Sequence, residues 1–295
     1  MMWRCSKPWR SASPLRYCGG KAKVAPLLRI YRRNGSREYR EVFCGGSSLF
    51  FETGFVFERA WLNDRHPGLI AFLTALRDRP DQFIAACRAI APATDDDPMT
   101  AEGPRGGAPK NARLKAEFDA IKLDEDADQA LRFFVVNRMV HGSGRVNYAI
   151  PNRLFFGSHE GWDLVATNCL EQAAATLQGA RITCGDYRQA LEESGDDVWC
   201  YLDPPYVVNS ALNASSQQYE FNFTEQDHVD LAAAVRKCPH AVMLTYDDCE
   251  LVRDLYPESE FWVDELAWKY SGTTLAVKRL ARELVICNYV PPFMD

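Results

Sequence analysis

Short apolar runs alternate with longer amphipathic stretches along most of this chain. The run Val198–Leu202 is apolar at every position, which is typical of a central parallel strand buried on both faces. Because other such runs are also followed by helical patterns, the sequence predicts an α/β fold with a mostly parallel sheet. The predicted strands are 39–43, 55–64, 181–184, 198–202, 241–246, 260–265 and 283–289.

Amphipathic segments between these runs predict helices. Thr224 comes just before one of them, and its hydroxyl can accept hydrogen bonds from first-turn amides, so we expect it to be an N-cap. We also expect a helix to begin at Leu49, and the last two strands to pair as an antiparallel hairpin around residues 268–282. The predicted helices are 24–33, 67–77, 81–90, 111–119, 126–139, 163–178, 225–237 and 249–256.

The α/β pattern is interrupted once. Residues 74–160 combine helical patterns with a loop, 92–110, that is rich in Asp, Pro and Gly. We interpret 74–160 as an inserted, mainly helical subdomain, and 15–73 together with 161–295 as the domain that carries the sheet. Residues 1–14 are expected to be a loosely attached basic tail.

The composition is that of an ordinary globular protein, with 47% hydrophobic and 25% charged residues among 295. No apolar run approaches the ~20 residues of a membrane span, and the N-terminus lacks the apolar core of a secretion signal. Ten cysteines occur singly, which favours reduced thiols in the cytoplasm and no zinc site. Those expected to be buried are Cys44, Cys184, Cys200 and Cys287.

Charge is distributed unevenly. The first 40 residues carry eleven Lys or Arg and one acid, a charge of +10, so the rest of the chain carries −16. A basic arm on an acidic body is compatible with an edge that faces phosphates, and equally with a solvated tail.

Candidate chemistry begins where the central strand ends, at Asp203-Pro204-Pro205-Tyr206. Prolines cannot continue a central strand, so an acid, two rigid residues and an aromatic ring are held at its carboxyl end. Ligands bind at that end of open α/β sheets. The alternative is a plain Pro-Pro turn with a capping Asp.

A second candidate follows the first predicted strand. Gly45 and Gly46 form a turn that can cradle a nucleotide, although a plain tight turn has the same sequence, and no phosphate-loop lysine is present. Asp64 ends the next strand some 20 residues later, where an acid can bind ribose hydroxyls or cap the following helix.

Together these motifs resemble the Dam family of S-adenosylmethionine-dependent adenine-specific DNA methyltransferases, in order from about residue 16 to 290. Tyr17-Cys18-Gly19-Gly20-Lys21 is similar to the family's opening motif, and Glu41 to Ser47 to its cofactor loop. Two departures are Val42 in place of a usual proline, and Ser47-Ser48 after a single Gly-Gly pair. Weaker similarities are Val136-Asn137-Arg138 with Gly144-Arg145-Val146-Asn147, and Glu283-Leu284.

The resemblance implies a Rossmann-like methyltransferase sheet with helices on both faces, and a target-recognition role for the insert. It implies methyl transfer from S-adenosylmethionine to the 6-amino group of a flipped-out adenine in double-stranded DNA, without a metal. It implies an enzyme that acts in the cytoplasm of a bacterium or of a phage-infected cell, either alone, as a phage enzyme or as part of a restriction-modification system. It also slightly favours a monomer. The implied catalytic residues are Asp203, Pro204, Pro205 and Tyr206. The implied cofactor-binding residues are Tyr17, Gly19, Gly20, Lys21, Phe43, Gly45, Gly46, Asp64, Asp186, Tyr187 and Asp203. The implied DNA-binding residues are Arg138, Arg145 and Asn147.

Alternatives stay open. Methylation of the cytosine 4-amino group needs the same hydrogen bonds, though such enzymes more often carry Ser in place of Asp203, and glutamine or RNA methyltransferases more usually carry Asn there. Val42 and the short recognition loop leave room for a catalytically silent DNA-binding relative. Arg145 could read a guanine, or instead contact the backbone or form a surface ion pair.

Overall fold

The computed structural model describes residues 13–15, 17, 19–51, 57–90, 128–139, 165, 167–207, 221–269 and 280–294. Its strands are β1 (Glu38–Glu41), β2 (Arg59–Asp64), β3 (Arg181–Cys184), β4 (Val198–Leu202), β5 (Ala241–Asp247), β6 (Trp262–Lys269) and β7 (Leu280–Cys287). They form one sheet in the spatial order β3-β2-β1-β4-β5-β7-β6. The first five strands are parallel, and β7 is antiparallel to β5 and to β6.

Most of the predicted helices are present. The α-helices of the described residues are α1 (Ala25–Leu28), α2 (Pro67–Asp78), α3 (Pro80–Ile90), α4 (Gln129–Met139), α5 (Cys169–Leu177), α6 (Tyr187–Glu192), α7 (Glu225–Lys237) and α8 (Glu250–Leu255), with 3₁₀ turns at Arg29–Tyr31 and Pro292–Met294. The prediction did not include α6. None of the helices in this part of the chain has the length and apolar character of a membrane span.

Helices cover both faces of the sheet, as the apolar run of β4 predicts. Successive side chains of a strand point to opposite faces. Trp199 and Tyr201 pack into a hydrophobic cluster with α1 to α5, whereas Cys200 and Leu202 pack into a second cluster with α6 to α8. The Rossmann-like α/β architecture is therefore confirmed.

The helix expected to begin at Leu49 is wrong. Residues 48–51 form hydrogen-bonded turns, in which the Phe51 amide donates to the Ser47 carbonyl at 3.0 Å. Ser47 has φ 48°, in the left-handed region, and this conformation interrupts a right-handed helix. The helix that follows the glycine turn in the described residues is α2, which comes after β2.

Two further expectations need correction. The hairpin strands reach Lys269 and start again at Leu280, so they include part of the segment 268–282 that was predicted to be loop. Cys184 is exposed because β3 is an edge strand of the sheet. The other three cysteines named above are buried as predicted.

Helices of the predicted insert share the core of the main domain. The rings of Phe72 on α2 and Phe134 on α4 stack with centroids 5.5 Å apart, and Phe83 on α3 packs edge-on against Phe72 at 5.6 Å. All three belong to the cluster that covers one face of the sheet. The proposed domain boundaries, 15–73 with 161–295 and 74–160, stay a prediction.

The start of the chain is better anchored than its sequence suggests. Ser13 and Leu15 are buried, so the expected loose attachment of residues 1–14 is wrong for Ser13, and residues 1–12 lie outside the described residues. Lys21 and Arg40 are also buried, and the Arg40 guanidinium donates to Glu38 at 2.6 Å and to the backbone carbonyl of Ala190 at 2.9 Å. These two cations therefore stabilise the fold and do not belong to a surface that faces phosphates.

The N-cap of α7 provides a test of the local structure. The Thr224 hydroxyl accepts from the Asp227 amide, and the Asp227 carboxylate accepts from the Thr224 amide at 2.8 Å. We expect Thr224→Ala to lower the free energy of unfolding by about 1 kcal/mol, and Thr224→Ser to lower it less. Urea denaturation followed by circular dichroism measures both, and equal effects would contradict the capping role.

Candidate active site

The strand order places one crevice at the carboxyl edge of the sheet. β1 lies between β2 and β4, so the chain leaves β1 to one side and returns on the other, and the loops after β1 and β4 diverge. Such a topological switch point is where open α/β sheets bind ligands. The turn of Gly45 and Gly46 follows β1, and Asp203 follows β4.

The glycine turn packs against a tyrosine. Gly45 has φ 45°, a left-handed conformation that favours glycine. A Cβ atom on Gly45 or Gly46 would lie 2.9 or 2.8 Å from the Tyr17 side chain. Glycine is required at both positions because any larger residue would displace this ring.

Asp64 fastens the glycine turn to the end of β2. Its Oδ2 accepts from the Gly45 amide at 2.9 Å, and its Oδ1 accepts from the His66 amide at 2.9 Å. His66 in turn caps α2, because its Nδ1 accepts from the Leu69 amide. The carboxylate therefore orders the cavity wall, and the helix cap that the sequence offered as an alternative for Asp64 is supplied by His66.

Lys21 and Asp203 form an ion pair at the mouth of the crevice. The ammonium lies 2.7 Å from both carboxylate oxygens and donates to the Gly19 carbonyl at 3.0 Å. The Lys21 side chain is 2% exposed and that of Asp203 is 20% exposed. The resemblance implied that Lys21 binds the cofactor, and in the structure its ammonium pairs with the Asp203 carboxylate.

Tyr206 is turned away from the crevice. Its ring is 4% exposed, its hydroxyl donates to Glu283 at 2.8 Å, and the Lys21 ammonium lies 5.0 Å from the ring centroid. Stacking of this ring on a target base stays a prediction, and it would require the ring to become exposed.

A threonine that the sequence reading missed completes the surroundings of Asp203. The Thr245 hydroxyl on β5 donates to Asp203 Oδ1 at 2.9 Å. Its signal in the sequence is a polar residue near the end of an apolar strand, which becomes meaningful only once β5 is known to pair with β4.

Two adjacent cavities meet at Asp203. The smaller lies between the glycine turn and Pro204, and the larger encloses about 1010 Å³ when the space open to solvent at its entrance is included. Both are lined by four of the predicted site residues: Tyr17, Phe43, Gly45 and Asp203. Gly20, Lys21 and Gly46 line the smaller one, and Asp64, Pro205, Asp186 and Tyr187 line the larger.

An aromatic group forms one wall of the larger cavity. The rings of Phe43 and Tyr187 lie 5.4 Å apart, and Phe223, which the sequence reading missed, approaches Phe43 edge-on at 5.7 Å. Asp186 caps α6 by accepting from the Arg188 amide at 2.9 Å. These ring faces suit a flat apolar ligand, with carboxylates nearby for hydroxyl groups.

Arg138, the predicted DNA contact that falls within the described residues, does not line these cavities. Arg138 is 3% exposed and donates to the Asn137 side-chain oxygen at 3.0 Å, so its role as a DNA contact stays a prediction and would require the side chain to become exposed. It is buried because the last turn of α4 packs into the core. Arg145 and Asn147 lie outside the described residues, and no group of three or more His, Cys, Asp or Glu side chains in the described ranges could hold a metal ion.

Glu283 is expected to make the stability of the protein depend on pH. Burial raises the pKa of this carboxyl to about 7, while the Lys21 ammonium opposes the rise. Since the native state keeps a proton that the unfolded chain loses, the free energy of unfolding falls as the pH rises from about 4.5 to about 7. Glu283→Gln can still accept a hydrogen bond from Tyr206 and should remove this loss of stability, which is on the order of 3 kcal/mol.

Urea denaturation at pH 5 and pH 8 measures the difference. Glu250→Gln removes an exposed glutamate and is the matched control, which should behave as the wild type. An unchanged pH dependence in Glu283→Gln would contradict the assignment.

Comparison with known proteins agrees with this geometry. A family model described as D12 class N6 adenine-specific DNA methyltransferase matches residues 17–271. Relatives include the type II methyltransferase M1.LlaDCHI of Lactococcus lactis subsp. cremoris (23% identical, covering 93% of this chain and 94% of that protein) and a DNA adenine methylase of Vibrio cholerae (28%, covering 82% and 83%). A DNA N-6-adenine-methyltransferase of Escherichia phage P1 is 26% identical over 86% of this chain and 32% of its own length.

The family model includes the Gly-Gly-Lys opening, the glycine turn, Asp64 and the Asp-Pro-Pro-Tyr motif, all of which the structure places around one crevice or directly behind it. The resemblance read from the sequence is therefore confirmed. The chain belongs to the family of D12 class N6 adenine-specific DNA methyltransferases.

Proposed function

We propose that this protein transfers a methyl group from S-adenosylmethionine to the 6-amino group of adenine in double-stranded DNA. The observation that carries the proposal is the Asp203 carboxylate at the end of β4, held by Lys21 at 2.7 Å and lining both cavities of the crevice. The family to which the chain belongs is adenine-specific, and its relatives are named for this reaction.

The reaction needs a more nucleophilic amino group. The lone pair of an adenine 6-amino nitrogen is delocalised into the ring, so the nitrogen attacks poorly. Asp203 can accept one amino hydrogen and the Pro204 carbonyl the other, which localises the lone pair on nitrogen. Positioning of this kind can supply ~7–11 kcal/mol of the barrier reduction, and preorganised electrostatics add to it.

The cavity residues fit the methyl donor. When bound, S-adenosylmethionine supplies an electrophilic sulfonium methyl group. Phe43 and Tyr187 would hold its adenine ring, Asp64 its ribose hydroxyls, and the turn of Gly45 and Gly46 would allow close approach of its methionine part. Asp186 and Tyr17 line the same cavity. Lys21, which donates to the Gly19 carbonyl, would contribute to the site by holding the Asp203 carboxylate.

Access to the base requires that adenine leave the duplex, at a cost of a few kcal/mol. Contacts with phosphates and neighbouring bases offset such a cost. We place these contacts in the insert, 74–160, with Arg145 and Asn147 as candidates from the family pattern.

The first test is transfer of a labelled methyl group to unmethylated duplex DNA, followed by nucleoside analysis. We expect label in 6-methyladenine. Asp203→Ala should lower the rate by about a hundredfold to a thousandfold, the effect typical of losing one preorganised group. Asp78→Ala, which removes an exposed carboxylate at the end of α2, should leave the rate unchanged.

Each other outcome has a definite meaning. Label in 4-methylcytosine would show that the target base is cytosine and not adenine, which would contradict the proposal. Cofactor binding without any transfer to DNA would overturn the proposal in favour of a catalytically silent relative.

A second test concerns the cofactor cavity. Asp64→Asn keeps the size of the side chain but loses its charge and one acceptor for the backbone amides of Gly45 and His66. We expect the Kd for S-adenosylmethionine to rise about tenfold, because hydrogen bonds to charged groups contribute ~1.5–3 kcal/mol. Isothermal titration calorimetry measures it, with the exposed Asp254→Asn as control. An unchanged Kd would exclude Asp64 from the cofactor site.

A further inference from the structure

We propose that Thr245 is a positioning residue that fixes the orientation of the Asp203 carboxylate, and that the Tyr201 hydroxyl supports Thr245 through a second hydrogen bond. This inference rests on the proposed function, because it assigns Asp203 the role of accepting a hydrogen from the substrate amino group. Thr245 would touch neither the substrate nor the cofactor in that role.

Three polar side chains form a continuous row at the wall of the crevice. Thr245 Oγ1 lies 2.9 Å from Asp203 Oδ1, and the Tyr201 hydroxyl lies 2.9 Å from the same Thr245 oxygen. Thr245 is fully buried and Tyr201 is 1% exposed. Asp203 lines both cavities and Tyr201 lines the smaller one, whereas Thr245, which links them, lines neither.

The register of the parallel strands creates this row. Tyr201 pairs with Met243 and Leu202 with Leu244, so the next step of the register sets Asp203 opposite Thr245. Side chains two residues apart on a strand share a face. Tyr201 and Asp203 therefore stand on the same side of the sheet as Thr245, and no loop rearrangement is needed to bring them together.

Chemistry fixes the direction of the hydrogen bonds. An ionised carboxylate only accepts, so Thr245 must donate its single hydroxyl proton to Asp203. Thr245 can then only accept from Tyr201, which donates. Burial and the nearby Asp203 charge raise the pKa of Tyr201 well above its ordinary value, so the phenol keeps the proton that this direction requires. Donors aligned in this way polarise one another.

The row has a consequence for the reacting oxygen. Oδ1 receives both Thr245 and Lys21, whereas in the described residues Oδ2 receives Lys21 alone. A lysine ammonium is a compact charge that can follow either oxygen, so it does not fix the plane of the carboxylate by itself. With Thr245 bound to Oδ1, the plane is fixed and Oδ2 keeps a lone pair for the substrate amino hydrogen.

Thr245→Val is the test, because valine matches the shape of threonine and lacks its hydroxyl. We expect kcat to fall by about tenfold to a hundredfold, the range for losing a hydrogen bond to a charged group. The KM values for S-adenosylmethionine and DNA should change by less than about threefold, since Asp203 orientation affects the transition state more than binding. Thr245→Ser keeps the donor and should restore kcat to within about threefold of wild type.

Matched controls separate positioning from general loss of structure. Tyr201→Phe should lower kcat in the same direction by a smaller factor, while Tyr256→Phe removes a buried hydroxyl that has no partner in the described part of the chain and should leave kcat unchanged. Thr176→Val removes a hydroxyl on an exposed position of α5 and should also leave it unchanged. Thermal denaturation of every variant shows whether it is folded.

The outcomes distinguish this inference from the proposed function. Wild-type kcat in a folded Thr245→Val would overturn the inference and leave the proposed function intact, as would a serine variant as impaired as the valine variant. If the wild type transfers no methyl group, the proposed function fails, and a crystal structure of Thr245→Val then decides. A rotated Asp203 carboxylate supports the positioning role, and an unmoved one excludes it.

Discussion

One buried ammonium group holds the carboxyl edge of the sheet together. Lys21 contacts both oxygens of Asp203 and lies 3.9 Å from Glu283, and its side chain is almost completely buried. Burying a carboxylate without a partner costs several kcal/mol. A single cation from the loop before α1 therefore permits two acids from β4 and β7 to lie close together beneath the crevice. It also anchors the first part of the chain to a strand end 182 residues away.

The crevice depends equally on backbone geometry. β1 and β4 are neighbours, and their hydrogen bonds continue past β1 because the Val42 amide donates to the Tyr201 carbonyl at 3.0 Å. The family usually has proline at position 42, and proline has no amide proton to donate. Val42, the departure from the family pattern, thus extends the pairing of β1 and β4, the two strands that lead to the glycine turn and to Asp203.

Two residues that the resemblance associates with target recognition also take part in core packing. Asn137 and Arg138 match a family pattern associated with target recognition, yet both are buried at the end of α4, which packs against α2. The same two residues could either contact DNA or form hydrogen bonds with each other at the end of a buried helix. Arg138 also lies over the Phe134 ring at 5.7 Å, and its role as a DNA contact stays a prediction.

The sequence alone determined the α/β order, the bounds of α7 and β4, and the set of motifs that identifies the family, because these follow from local periodicity, capping and short motifs. Tertiary structure decided which residues meet. Thr245, Phe223 and Glu283 gave little local signal, and their importance comes from register and burial: β5 pairs with β4, and β7 with β5. Local patterns specify how each segment folds, whereas contacts between distant segments arise only from strand order, which depends on packing of the whole sheet.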